Sequence, residues 1–422
     1  MADQQQQREF TRGWKIILAS SIGVGCGVSA VLFYTFGVFI VPLQDQFTWS
    51  RGDIQFAITL YSFGALSVLP IVGRLLDNYG ARRLALVSTV IFATLFSCVA
   101  FVTSSIWTFY AILIATAVLS AGSMPITYTR IINTWFDKRR GIALGLMLAG
   151  TGLAATVLPR YASWLIENFG WRIAYPGLAV VTLALSFPVL FLLLRDHPYP
   201  QPAHNLSKQK PRTTNNQALY GFNLRKSMSS YKFWVLAFGL LCTSFALGGI
   251  IPNLVPMLTD MGYTPSVAAG YAGLLGVMVI TGRLLVGVLL DYLWSPLVAF
   301  CVLTPTFISC LLLTMDGLGP AGVIVSVALV GLATGAEYDL IAYLVSRFFG
   351  MKHYGVVYGT QYMFFGVGFA VGPPVYGYGY DINSSYDPIL YVTAAIMILA
   401  PATFLSLGSP PKHFDKKSSK EK

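Results

Sequence analysis

Charge is what this chain has least of. Only 11% of its 422 residues are Asp, Glu, Lys or Arg, against roughly a quarter in a soluble domain. That deficit excludes an ordinary water-soluble globule, because too little polar surface is present to cover one. Histidine is scarce as well. His197, His204, His353 and His413 all fall in loops or tails, without metal-ligand spacing. The five cysteines lie inside apolar runs and are odd in number, so they read as small membrane residues and not as a disulfide framework. The chain lacks a GxxxxGK[ST] phosphate loop, which leaves ATP-driven pumping unsupported. Without a nucleophile–base pair or a metal cluster in the apolar runs, an enzyme is not expected, and neither is a cofactor or a bound metal.

What is present is apolar sequence. Hydrophobic residues make up 55% of the chain and the mean hydropathy is +0.65. The 40 glycines and 22 prolines fit membrane helices, which tolerate both. A spanning helix needs about 20 apolar residues. The uncharged runs supply twelve, provided that the longest, 84–129, is divided at Thr103-Ser104-Ser105. The first run follows a polar start, MADQQQQREFTRGW, with no small-residue cleavage site, and reads as a retained span. The expected fold is all-α, with two six-helix pseudo-symmetric bundles. The N-terminal bundle is 1–194. A proline-rich linker covers 195–232, the C-terminal bundle 233–409 and a basic tail 410–422.

The net charge is +11. With the N-terminus placed inside, the inner segments hold 22 Lys and Arg and the outer segments hold two, Arg51 and Arg172. By the positive-inside rule both termini are cytoplasmic, and the linker and tail with them. Orientation in a bilayer therefore accounts for the basic balance, with no need for a nucleic-acid partner.

The two halves echo each other. Gly73-Arg-Leu-Leu-Asp77 at the end of the second span parallels Gly287-Val-Leu-Leu-Asp291 at the end of the eighth. Trp135-Phe136-Asp137-Lys138-Arg139-Arg140-Gly141 parallels Phe349-Gly350-Met351-Lys352-His353-Tyr354-Gly355. Six spans plus six, with internal echoes, is the arrangement of an alternating-access carrier.

Gly73-Arg-Leu-Leu-Asp77-Asn-Tyr-Gly80-Ala-Arg82-Arg83 resembles the loop 2–3 signature of the major facilitator superfamily, and the resemblance covers roughly residues 14–410. Within it the chain is similar to the monocarboxylate transporter branch in its bacterial form. Three segments carry that likeness: Trp135–Gly145, Gly372-Pro373-Pro374-Val375-Tyr376-Gly377, and Arg283 in Ile280-Thr281-Gly282-Arg283. The resemblance implies proton-coupled carriage of small carboxylates in a bacterial inner membrane by a chain acting as a monomer. It implies that Gly73, Asp77, Arg82, Arg83 and Asp291 gate the inner surface without binding substrate. It also favours Tyr128 as a partner of the bound carboxylate. Animal members carry a lysine in the first helix, where this chain reads Phe33-Tyr34-Thr35-Phe36, so their proton relay does not transfer.

An ionisable residue inside the bilayer costs about 2.5–3.5 kcal/mol on insertion scales and marks a functional candidate. Arg283 lies eight residues before Asp291, hence about 12 Å from the inner end of its helix. A guanidinium there can grip a carboxylate through two hydrogen bonds, or pair with an acid on a neighbouring helix. Glu337 and Asp339 sit two apart in the tenth span and so point to different sides. Either can serve proton coupling, or pair permanently with an arginine. Asp260, at the outer end of the seventh span, reads as a loop charge or cap, or as an outward proton acceptor. Arg160 and Arg130 near span ends read as snorkelling side chains. Tyr34, Tyr128, Gln361 and Tyr362 lie at plausible cavity depth. The expected function is a secondary carrier of monocarboxylates with proton symport. The competing reading is an oxalate/formate-type anion exchanger, or an exporter of another small amphiphilic solute.

Overall fold

The computed structural model describes residues 2–136, 140–195, 221–315, 317–350 and 352–409. They form helices throughout, apart from two 3-10 turns and one isolated bridge between Gly221 and Gly350. Twelve spans follow in chain order. Span α1 consists of Ala2–Gly25 and Val28–Phe47, α2 is Arg51–Tyr79, α3 is Ala81–Cys98, and α4 consists of Ile106–Leu119 and Pro125–Trp135. Next come α5 (Arg140–Phe169), α6 (Trp171–Leu193), α7 (Tyr231–Asp260) and α8 (Pro265–Tyr292). Span α9 is split into Ser295–Leu303 and Thr306–Leu312, and α10 (Pro320–Phe349), α11 (Tyr354–Asn383) and α12 (Asp387–Leu405) complete the set. Ten stretches of the described residues are long and apolar enough to cross a bilayer. The other two are α4, which is broken, and α11, which is rich in Gly and Tyr. The protein is a multi-pass membrane protein.

The junctions show why the helices stop. Gly80 between α2 and α3 has φ 80°, and Gly170 between α5 and α6 has φ 79°. Both are in the left-handed region that L side chains avoid. Each sits in the same local sequence, Asn78-Tyr79-Gly80-Ala81-Arg82 and Asn168-Phe169-Gly170-Trp171-Arg172, and each amide closes the preceding helix on Leu76 or Ile166. The repeat is thus built at the level of three helices as well as six.

Two breaks were not legible in the apolar runs. Span α1, expected as one continuous helix over 16–44, is interrupted at Cys26-Gly27, and α4 at Ser120–Met124. The breaks meet. The Val28 amide donates to Ser123 Oγ at 3.2 Å, and a Cβ at Gly27 would lie 2.4 Å from the Ser123 carbonyl oxygen. Glycine lets the two backbones touch, and the serine satisfies an amide that the broken helix leaves open. Inside a bilayer such a group has no water to turn to.

The chain divides into two compact units. One comprises Met1–Lys208 with Pro252–Val277, the other Gln209–Ile251 with Met278–Lys422. The boundary cuts α7 between Ile251 and Pro252, a residue without an amide hydrogen.

Candidate functional site

In the second unit, α8 and α10 approach until their backbones touch. A Cβ at Gly282 would lie 2.4 Å from the Leu332 carbonyl oxygen, and one at Gly335 would lie 2.1 Å from that of Val279. Small residues at such crossings let membrane helices pack closely. The crossing sets Arg283, next to Gly282, against α10. Its side chain is only 9% exposed, and Nε lies 3.7 Å from Asp339 Oδ2. That is ion-pair range but longer than a hydrogen bond. Among the described residues, neither Nε nor Nη1 of Arg283 has a hydrogen-bond partner. The arginine is therefore buried, charged, and has donors to spare.

The two acids of α10 occupy different surroundings, as their spacing predicts. The Asp339 side chain is 34% exposed, whereas Glu337 is 2% exposed and its Oε1 has no hydrogen-bond partner among the described residues. Below them Tyr343 donates to the Leu290 carbonyl and accepts from Arg347 Nε and Nη2 at 3.1 and 3.0 Å. Beside them α11 carries a stacked ladder of rings. Tyr354 and Tyr358 are 5.4 Å apart, Tyr358 and Tyr362 6.0 Å, and Tyr362 and Phe365 5.5 Å. Tyr338 of α10 packs against Tyr362 and Phe365. Tyr362 thus belongs to an aromatic wall next to the acids. Gln361 turns to α7, where Nε2 donates to the Phe233 carbonyl at 2.9 Å, while Oε1 has no hydrogen-bond partner among the described residues.

In the first unit, Tyr128 is fully buried with its ring against Gly23 of α1. Tyr34 lies half-buried, edge-on to Phe33 at 5.5 Å. Asp260 is neither a plain loop charge nor a cap. Arg51 of α2 grips it with both terminal nitrogens, Nη1 to Oδ2 at 2.6 Å and Nη2 to Oδ1 at 2.8 Å. Arg51 also donates from Nε to Gln44 Oε1 at 3.1 Å. Two turns deeper on α7, Asn253 and Gln55 exchange hydrogen bonds at 2.8 and 2.6 Å, and both are fully buried. Deeper still in the contact, a Cβ at Gly37 would lie 2.3 Å from the Pro252 carbonyl oxygen. The sequence offered Arg51 only as an outer charge and gave no sign of the amide pair.

At the opposite ends of the spans, Arg82 Nη2 donates to the Phe191 carbonyl at the close of α6, and its guanidinium lies 5.4 Å from the Phe191 ring centroid. Arg83 is exposed, and a Cβ at Gly73 would meet nothing within 4 Å. The side chains of Asp77 and Asp291 lie outside the described residues. Among the described residues, no group of three His, Cys, Asp or Glu is placed to hold a metal ion.

The chain is similar to monocarboxylate transporter 13 of Rattus norvegicus, with 24% identity over 94% of this chain and 89% of the relative. It is similar to an MFS-type transporter of Gibberella moniliformis, with 25% identity over 87% of this chain and 82% of the relative. Its fold matches a bacterial homolog of the human lysosomal transporter Spinster in an inward-facing and occupied conformation. There the TM-score is 0.68 at 15% identity, covering 94% of this chain and 97% of that one. The family model of the Major Facilitator Superfamily matches residues 22–373 and 295–422, and with twelve spans in place the chain belongs to that superfamily of membrane transporters.

Proposed function

We propose that this transporter moves small monocarboxylates by alternating access with proton symport, and that Arg283 receives the carboxylate. The observation that carries the reading is a buried guanidinium inside a span whose Nε and Nη1 have no hydrogen-bond partner among the described residues. A permanently charged, donor-rich group in that setting suits an anion that comes and goes. The proton needs a different group, because arginine does not release one at physiological pH and no histidine lies within a span. A carboxyl remains. Glu337 and Asp339 stand on the helix that faces Arg283, and Asp260 closes the far end of α7. In the empty carrier Asp339 and Arg283 attract each other across 3.7 Å. A bound carboxylate takes over Arg283, and an acid of α10 left without that counter-charge takes up a proton, since the positive charge that favoured its ionised form is now answered by the substrate. Carrying both makes the transported sum neutral. That removes about 2.3 kcal/mol per 100 mV for an anion moving toward a negative interior.

The chain sits in a bacterial inner membrane with both termini cytoplasmic and works as a monomer. The Lys and Arg distribution supports the orientation. The Arg51–Asp260 and Gln55–Asn253 pairs then lie toward the outside and serve as an outer latch, while Gly73, Asp77, Arg82, Arg83 and Asp291 serve the inner one. Uptake of radiolabelled acids into proteoliposomes, with and without a pH gradient, tests the reading. Accumulation driven by the gradient supports symport. Exchange that ignores the gradient makes the carrier an anion exchanger instead.

A further inference from the structure

A cavity of about 310 Å³ lies beside Arg160 of α5, lined also by Ser266, Val267, Gly270 and Tyr271 of α8. The reading of Arg160 as a snorkelling side chain does not account for it. One turn further into the span the two helices touch. A Cβ at Gly273 would lie 2.6 Å from the Thr156 carbonyl oxygen, and one at Gly276 would lie 2.3 Å from that of Gly152. The cavity is therefore floored by a backbone contact. Its wall is open at Gly270, where an added Cβ would meet nothing within 4 Å. Among the described residues Arg160 has no acid paired with it. Asp260 is held by Arg51, and Glu167 on the same helix accepts from Ser163 at 3.3 Å. The lining thus offers one unpaired guanidinium, the hydroxyls of Ser266 and Tyr271, and an apolar side at Val267.

We propose that this cavity is a second, outer carboxylate site, where an anion is captured before it reaches Arg283. The proposal rests on the reading of the chain as a carboxylate carrier with its termini inside. Arg160 supplies the charge, the two hydroxyls supply hydrogen bonds, and Val267 takes the apolar part of a small organic acid. Arg283 lies 13 residues beyond Gly270 on the same helix, about 20 Å further in.

The test uses the full chain in proteoliposomes. Gly270→Cys places a thiol in the open wall, and its labelling by a membrane-impermeant maleimide is timed against the parent chain. Sodium lactate, pyruvate and benzoate are each added outside, against sodium chloride of equal ionic strength. At least one acid is expected to slow labelling threefold or more. Arg160→Gln should abolish that slowing, and Arg283→Lys should leave it in place. The proposal is overturned if no acid slows labelling beyond chloride, or if the slowing survives Arg160→Gln. It is equally overturned if the slowing disappears with Arg283→Lys, since the thiol then reports the deeper site. Labelling that responds only to phosphatidylglycerol in the vesicles, and to none of the acids, assigns the cavity to a lipid headgroup and overturns it too. Because protection is read without transport, a carrier that fails the uptake assay can still pass or fail this one.

Discussion

Replacing Arg51 by glutamine removes the charged half of the proposed outer latch, and the Arg51–Asp260 geometry sets the size of the effect. Arg51 makes two charge-assisted hydrogen bonds to Asp260 at 2.6 and 2.8 Å. Such bonds contribute about 1.5–3 kcal/mol each in net terms. The Asp260 side chain is 32% exposed, so water replaces part of what is lost. A loss of about 2 kcal/mol for the pair follows, or a shift of roughly 30-fold in the ratio of outward-closed to outward-open carrier. The reporter is Asn253→Cys, at a position that is fully buried on the contact face of α7. Both arms carry the reporter, so its own cost cancels. An impermeant maleimide reaches the thiol only through the open state. Its labelling rate in the Arg51→Gln background should rise by up to about 30-fold. A double change, Arg51→Asp with Asp260→Arg, should bring the rate back toward the parent value. If inserted protein carrying Arg51→Gln labels within twofold of the parent, the pair does not hold the outer side shut.

Three further outcomes are expected. Gly335→Leu drives a side chain into the Val279 carbonyl, 2.1 Å from where its Cβ would sit, and should cost about 1–3 kcal/mol, read as a lower melting temperature in detergent together with weaker substrate binding. Ser123→Ala strips the acceptor from the Val28 amide where α1 and α4 break, and should destabilise the protein by about 1 kcal/mol, while Ser123→Thr keeps most of it. Asp339→Asn removes the ion-pair partner of Arg283 and should abolish gradient-driven accumulation or leave it intact according to whether Asp339 or Glu337 carries the proton, with counterflow exchange measured beside it; accumulation at the parent level in Asp260→Asn, Glu337→Gln and Asp339→Asn alike would exclude all three as the proton site.

Span number was readable from the chain because length of apolar sequence is the property a bilayer selects, and the division at Thr103-Ser104-Ser105 falls between α3 and α4 in the fold. The breaks at Cys26-Gly27 and Ser120–Met124 were not readable, since hydropathy runs straight through them and only the meeting of Gly27 with Ser123 explains them. Arg283, Glu337 and Asp339 announced themselves as charges in apolar runs, and helix spacing put the two acids on different sides without telling which is buried; in the fold Glu337 is buried and Asp339 half-exposed. That Arg283 meets Asp339 depends on Gly282 and Gly335, which let two helices touch and look like any other glycines in sequence. The Arg51–Asp260 and Gln55–Asn253 pairs join positions about two hundred residues apart, and no local pattern encodes them. The tyrosine ladder on α11 has the i, i+4 spacing of a helix face, so Tyr354, Tyr358 and Tyr362 were open to grouping before the fold was known.

If Arg283 takes the carboxylate of a proton-coupled substrate, the affinity for that substrate depends on the shape of the side chain as well as its charge. Equilibrium binding of the best-transported acid to purified protein, measured for the parent chain and for Arg283→Lys at the same ionic strength, tests it most directly. Lysine keeps the charge but loses the planar fork that meets two carboxylate oxygens. Binding should weaken at least tenfold in an Arg283→Lys variant that inserts and melts like the parent; binding within twofold of the parent would rule Arg283 out as the carboxylate's partner.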